Sequence, residues 1–408
     1  MNIKPQKGFQ EYLPEAALKR DLLMNTILDT YRSCGFTRVY TPAVESAENL
    51  DKSDGGDNLN LIFKILKRGE KLEAALANTP VDEKELSDLG LRYDLTLPLS
   101  RYYANNRNSL PSPFKCIQID KVYRAERPQR GRLREFVQCD IDILGSDSIC
   151  SEIELISVTA KALNRIGIGK FFIRINDRKV LRGTLSSMGF PEEALDTVCV
   201  TFDKLDKIGA DGVAAELTEK GMPAEAIESL RKLIAKESIT LDDMAEYCEG
   251  EAAEAINTLR TIIDTSNKIS DEYDVRFDPS LVRGQGYYTG TVFEVASEKF
   301  GGTVAGGGRY DGLIGRFTGE QIPAVGFSIG FERIFSIINE NNIELEGGRP
   351  KVAILYKEED ILEAIRESEK LEGEADVTLM LVTNPKKTDK FYSRAKNAGF
   401  DNIIKLNL

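Results

Sequence analysis

Apolar and polar positions alternate most strictly over residues 136–143, in the run FVQCDIDI. Val137, Cys139, Ile141 and Ile143 share one side of a predicted strand, and Phe136, Gln138, Asp140 and Asp142 share the other. One side needs a core. The other presents an amide and two carboxylates. Residues 114–124 are also strand-like. Pro128 and Gly131 fall between the two runs, amid a dense set of arginines: Arg124, Arg127, Arg130, Arg132 and Arg134. Together these predict an antiparallel hairpin with a cationic tip and acceptors on its polar face. Guanidinium forks grip phosphate oxygens in pairs, and carboxylates take ammonium or imidazole N–H groups. The pattern fits a ligand with one anionic and one cationic end. It fits a solvated surface hairpin equally well.

Residues 15–34 have helical spacing, with Pro14 at a first helical position and Gly35 where a helix-ending glycine belongs. Residues 36–42, FTRVYTP, predict a short strand stopped by proline, and this helix-strand unit could pack against a symmetry mate. LIFKIL, residues 61–66, reads as another strand. In LRYDLTLPLSRYYANN, residues 91–106, Asp94 and Thr96 share one side of an extended piece, Pro98 stops it, and a helix begins at Leu99. Residues 151–166 predict a helix, with Ser151 and Glu154 at the spacing of a capping box, and residues 167–175 a strand. From Arg178 to about Ser266 the texture is Ala-, Glu-, Leu- and Lys-rich with helical spacing, which predicts an all-helical insertion. Strand signals return at Val275.

Residues 301–317, GGTVAGGGRYDGLIGRF, hold seven glycines. The phosphate-loop pattern G-x-x-x-x-G-K-[ST] is missing, and no strand–turn–helix unit surrounds the run to make it a dinucleotide fingerprint. It is either a turn-rich hairpin or a wall pressed against a flat ligand. Residues 323–339 predict a strand running into a helix, with Arg333 near the join. After Gly347, Gly348 and Pro350 comes a β-α-β-α-β pattern, which implies a small parallel sheet of marginal independent size.

Composition narrows the chemistry. A chain of 408 residues with net charge −12 has room for two or three domains and no global basic field for coating DNA, so any nucleic-acid contact must be local. The six cysteines form no C-x-x-C pair and are expected as reduced core residues. No apolar signal core and no membrane-length apolar run stand out, so a cytoplasmic protein is expected. Histidine is absent, which excludes histidine bases, histidine metal ligands and Ser-His-Asp or Cys-His machinery. Chemistry must run on arginine, carboxylates, metal ions or the substrate's own groups.

Five segments in order carry a resemblance. VYRAERPQRGRLREFVQCDIDILG resembles the second signature motif of class II aminoacyl-tRNA synthetases as found in the histidyl-tRNA synthetase family. LRYDLTLPLSRY is similar to that family's amino-acid-binding strand. LVRGQGYYTGTVFEV and GGTVAGGGRYDG resemble its two histidine-specific segments, and PAVGFSIGFERI the class II third motif.

The resemblance implies an α+β fold. A six- or seven-stranded antiparallel catalytic sheet flanked by helices would be formed by residues 1–177 and 267–342. Residues 178–266 would be a helical insertion, and 350–408 a short α/β domain like a truncated anticodon-binding domain. It implies homodimerisation through residues 15–42, and activation of histidine with ATP and Mg²⁺ followed by transfer to tRNA(His). Asp94, Thr96 and Gln138 would hold the α-ammonium group, and Asp142 and Tyr288 the imidazole. Tyr287, Tyr310 and Gly306, Gly307 and Gly308 would line the pocket. Arg124 and Arg333 would grip the ATP phosphates, Glu126 the adenine end, and Arg283 would sit between carboxylate and α-phosphate.

Two departures stand out. Gly286 occupies a position that is usually acidic, which either permits a bulge that re-aims Tyr287 and Tyr288 or marks lost activity. The C-terminal segment is also short for the family. The alternative is a paralogue that binds histidine as the regulatory subunit of ATP phosphoribosyltransferase. Such paralogues typically lose the ATP-binding arginines, whereas Arg124, Glu126, Arg283 and Arg333 are all present here. The lack of histidine would let a charging enzyme be translated when histidine is scarce; compositional drift is the other account.

Overall fold

The computed structural model describes residues 3–51, 61–77, 80–128, 132–236, 238–282, 286–297, 301–345 and 347–408. It divides into two units, one ending at Glu344 and one spanning Leu345–Leu408.

In chain order the first unit's strands are β1 (Thr37–Arg38), β2 (Val44–Ser46), β3 (Lys64–Leu66), β4 (Ser87–Leu91), β5 (Phe114–Tyr123), β6 (Glu135–Leu144), β7 (Phe171–Asp177), β8 (Asp274–Phe277), β9 (Thr291–Ser297), β10 (Gly302–Arg309) and β11 (Ala324–Gly330). Eight of them form one sheet in the order β1-β5-β6-β11-β10-β9-β7-β8, and β2-β4-β3 form a small second sheet. From β5 to β7 every pairing is antiparallel. At the edges β1 joins β5, and β8 joins β7, in parallel. The sheet is therefore mixed, with a six-stranded antiparallel centre, where an antiparallel sheet of six or seven strands was expected. The connection from β7 to β8 accounts for one parallel edge. It runs through helices, and the last of them, Gly250–Ile269, packs back on both strands.

The apolar side predicted for residues 136–143 is buried from Cys139 onward, and Asp140 and Asp142 of the polar side are buried as well. Cys116, Ile117, Ile119, Cys139, Ile141 and Ile143 are buried. Helix Pro14–Ser33 packs against helix Cys150–Ile166, with Leu23, Ile27 and Tyr31 buried from the first and Leu155, Ile156 and Leu163 from the second. Four cysteines are buried as expected. Cys34 is half-buried and Cys150 exposed, and all six are free thiols.

Three local expectations change. The helix after β4 is Thr96–Asn106, so Pro98 lies in its first turn and does not end an extended piece. The first-turn N–H groups have no intrahelical acceptor, so proline costs nothing there. Ser151 and Glu154 form no capping box: the Ser151 hydroxyl donates to Ser146, and Glu154 pairs with Lys115 at 2.6 Å. The glycine-rich run divides: Gly302–Arg309 is β10, in the antiparallel centre of the sheet, Gly312 lies in the turn that follows, and Gly315 opens the short helix Gly315–Thr318.

Between β7 and β8 the chain is helical, with Arg178–Ser187, Leu195–Phe202, Leu205–Glu219, Ala224–Ile234, Leu241–Ala245 and Gly250–Ile269. Asp177 caps the first of these by accepting the Lys179 N–H, and Thr240 with Asp243 makes a reciprocal capping box on Leu241–Ala245.

The second unit has β12 (Lys351–Tyr356), β13 (Asp376–Leu381) and β14 (Asn402–Lys405), all parallel in the order β13-β12-β14, with helices Ile361–Lys370 and Thr388–Asn397 between them. Its fully buried apolar core centres on Val352, Ile354 and Ala364. No described helix is long and apolar enough to cross a membrane.

Candidate active site

The polar side of β6 faces a cavity of about 670 Å³. Gln138, Asp140 and Asp142 stand along it, opposite Gly330, Ser328 and Gly326 of β11. Two glycines make this floor possible. A Cβ on Gly326 would come within 2.0 Å of Asp142 Oδ1, and a Cβ on Gly307 within 2.0 Å of the Gly326 carbonyl oxygen. The glycine run is a wall of close backbone approach.

Asp142 is 3 % exposed and accepts a 2.7 Å hydrogen bond from the Tyr310 hydroxyl. Burial pushes its carboxyl up to about 7, the Tyr310 hydroxyl opposes the rise, and Asp94 adds to it. Asp94 is not a wall residue. It lies buried beside wall residue Thr96 and accepts the Leu97 N–H at 3.2 Å, as an N-terminal helix acceptor. Burial raises its carboxyl to about 6 against the pull of the Leu97 N–H and Arg124. Tyr287, Tyr288 and Tyr310 close one end as an aromatic cluster, with ring centroids 4.9 Å and 6.0 Å from Tyr287 to the other two.

The opposite side is cationic. Arg124 donates from Nε to the Tyr93 carbonyl at 3.0 Å and lies 5.1 Å over the Phe136 ring. Arg333 donates to the Thr303 carbonyl of β10. Glu126 is held 3.7 Å from Arg132. The cavity thus gathers Thr96, Arg124, Glu126, Gln138, Asp142, Tyr287, Tyr288 and Arg333. Tyr310 and Gly306, Gly307 and Gly308 are also on its wall. Arg283 lies outside the described residues; Val282, just before it, lines the cavity.

Sequence reasoning missed several wall residues. Asp140 stood in the alternation but was given no role. Asp203 and Lys207 reach the wall from the helical stretch, and Glu294 from β9. No local signal marks these three, because only the tertiary fold brings them there.

The family model for histidyl-tRNA synthetase matches residues 8–334. The chain belongs to the histidyl-tRNA synthetase family. A histidine–tRNA ligase of Leifsonia xyli subsp. xyli is 41% identical over 367 residues, covering 87% of this chain and 84% of that protein. One from Phocaeicola vulgatus is 36% identical, covering 83% and 78%. Among solved structures, the histidyl-tRNA synthetase of Nostoc sp. PCC 7120 superposes with a TM-score of 0.80 at 28% identity, over 100% of this chain and 92% of that one. A Bacillus halodurans protein described as an ATP phosphoribosyltransferase regulatory subunit/histidyl-tRNA synthetase gives 0.79 at 21% identity, covering 99% and 98%, which is a likeness of fold alone.

Proposed function

We propose that this chain is a histidine–tRNA ligase, which joins histidine to ATP as an adenylate and passes the histidyl group to the 3′ end of tRNA(His). One observation carries the proposal: a single cavity has acidic acceptors on its floor and Arg124 and Arg333 on its wall. An ammonium-bearing amino acid and a triphosphate fit that division of charge. A protein that only senses histidine has no use for the two arginines.

In this reading Asp94, Thr96 and Gln138 hold the ammonium group. Asp142, fixed by Tyr310, and Tyr288 recognise the imidazole. Arg124 and Arg333 take the phosphates, Glu126 the adenine end, and Arg283 the α-phosphate. A histidine carboxylate oxygen attacks the α-phosphorus, and the bond to pyrophosphate breaks. The carboxylate is already a nucleophile, so no general base is needed. Placement in line and neutralisation of charge on the five-coordinate phosphorus carry the rate. This suits a chain without histidine. In the second step a ribose hydroxyl at the tRNA 3′ end attacks the adenylate carbonyl, the bond from that carbon to the phosphate oxygen breaks, and AMP leaves, with a phosphate oxygen of the adenylate accepting the hydroxyl proton.

ATP is the co-substrate here. Among the described residues no group of three carboxylates or thiols could cage a metal. Mg²⁺ is accordingly assigned to the phosphates, with one or two carboxylates in support, as that ion prefers. Residues 178–266 are assigned to the tRNA acceptor arm and 350–408 to a reduced anticodon domain. The dimer is assigned to residues 15–42, where Tyr40 is 67 % exposed.

The test is histidine-dependent exchange of pyrophosphate into ATP. Exchange with histidine alone among the amino acids supports adenylate formation. Histidine binding without exchange transfers the reading to the regulatory subunit.

A further inference from the structure

Asp140 is 4 % exposed, lines the cavity, and its Oδ1 has no hydrogen-bond partner. A buried carboxylate oxygen left bare costs free energy that a hydrogen-bond donor on a ligand entering the cavity would return. Close to it, Asp94 Oδ2 and Gln138 Oε1 share this state. Burial, before any neighbour, opposes the ionisation of Asp140, and Asp142 and Asp94 add to that; the hydrogen bond with Ser328 and the charge of Arg124 favour the ionised form, as a bound ammonium would. Ser328 is its register partner on β11 and also accepts from Gln138 Nε2 at 3.3 Å.

Successive same-face residues of a strand stand about 7 Å apart. Asp140 therefore falls between Gln138 and Asp142, at the middle of the floor. Asp142 Oδ1 is already taken by Tyr310. The Thr96 hydroxyl is engaged by Tyr287. An ammonium group has three N–H donors, and Asp140 Oδ1 and Gln138 Oε1 on the cavity floor, with Asp94 Oδ2 beside it, are acceptors without a hydrogen bond. We propose that Asp140 is a further substrate-binding residue, a second carboxylate on the amino acid's ammonium group. It is aimed by Ser328 and joins Asp94, Thr96 and Gln138 around that group. This inference rests on the reading of the cavity as an amino-acid site.

The test separates the ammonium from the rest of the ligand. Binding of histidine and of 3-(imidazol-4-yl)propionate, which lacks the amino group, is measured calorimetrically on the full chain, on Asp140→Asn and on Ser328→Ala. Thermal melts confirm folding of each variant. Asp140→Asn should weaken histidine by about tenfold or more, the share of a charge-assisted hydrogen bond, and leave imidazolepropionate within about twofold. Ser328→Ala should show the same selectivity with a loss of about threefold, and it carries the test if the first variant does not fold. Equal losses for both ligands, or no loss for histidine, overturn the role of Asp140 alone. Failure of the unsubstituted protein to bind histidine overturns the amino-acid site and this inference with it.

Discussion

Two glycine-to-alanine changes one strand apart should fail in opposite ways. At Gly307 the new methyl group would meet the Gly326 carbonyl oxygen at 2.0 Å and the Phe327 Cα at 2.8 Å. Both are backbone atoms of the neighbouring central strand, so relief requires β10 and β11 to part. Overpacking in a core that cannot yield costs at the top of the usual 1–3 kcal/mol range, so we expect about 3 kcal/mol or more. At Gly326 the methyl group would meet Asp142 Oδ1 at 2.0 Å, and the Tyr310 ring only at 3.3 Å. The carboxylate can swing away, but the 2.7 Å bond from Tyr310 then breaks. Losing a hydrogen bond to a charged group is worth about 1.5–3 kcal/mol, or about ten- to a hundredfold in histidine affinity. Gly326→Ala should therefore fold with a modest stability loss and raise the KM for histidine in pyrophosphate exchange, with that for ATP little changed. Gly307→Ala should unfold at markedly lower denaturant. If Gly326→Ala keeps its histidine KM, Asp142 does not read the imidazole. If Gly307→Ala melts with the parent, the close approach of β10 and β11 is wrong.

Arg333→Ala should lower kcat of exchange by about a hundredfold or more, as loss of a charge-stabilising donor does, while calorimetric histidine affinity stays within about twofold; an equal loss of histidine affinity would remove Arg333 from the phosphate side. Glu152 is 1 % exposed and paired with the Arg309 guanidinium at 2.6 Å, so Glu152→Gln leaves a buried cation short of its partner. Urea unfolding should show a loss of about 3 kcal/mol, the low end for a broken buried pair because Asp311 also lies 3.3 Å from Arg309; a loss under about 1 kcal/mol would contradict this. Burial, above all, raises the Asp177 carboxyl from its ordinary 3.8 to about 6. The native state holds this proton longer than the unfolded chain, so the stability it adds is complete below pH 3.8 and is lost as pH rises through 6. Asp177→Asn keeps a helix-capping oxygen and should melt above the parent at pH 8, by at most about 3 kcal/mol, and converge with it near pH 4; a constant difference across that window would refute the assignment.

What the sequence disclosed depended on range. The alternation along residues 136–143 was legible because a strand's two faces differ locally, and the β-α-β-α-β pattern after Pro350 for the same reason. The helical stretch after Asp177 announced itself by composition. Gly306, Gly307 and Gly308 did not, because glycine carries no face. A central strand made of glycine has the same local signal as a turn, and only the Gly326 oxygen beside Gly307 tells them apart. Pro98 misled because a first-turn proline and a strand-ending proline look alike. The pocket residues Thr96, Gln138, Asp142 and Tyr288 were picked by motif resemblance, and the fold gathers them. Asp140 was visible in the same alternation, but its bare oxygen is a tertiary fact. Asp203 and Lys207 lie 59 and 63 positions beyond the end of β6 and belong to the wall only through packing.

The site's arginines also need positions that do not drift, since a reaction without a general base draws its rate from fixed charge. One network supplies this beside Arg333. The Arg20 guanidinium from helix Pro14–Ser33 lies 4.0 Å over the Tyr12 ring and 4.6 Å over Phe331, and meets both Glu332 oxygens at 2.6 and 2.8 Å. Glu332 also accepts the Val137 N–H of β6 at 3.3 Å. A half-buried ion pair pays heavily in desolvation, so this one adds little net stability despite its geometry. Its effect is placement. It ties the N-terminal helix, the first turn of helix Phe331–Glu340 and the strand carrying Gln138 at one carboxylate. Arg333 is the next residue along, and Gln138 follows Val137. On the proposed assignment of Arg333 to phosphate and Gln138 to ammonium, this one carboxylate ties the two sides of the cavity together before any substrate binds, which is the condition under which preorganised charge lowers a barrier.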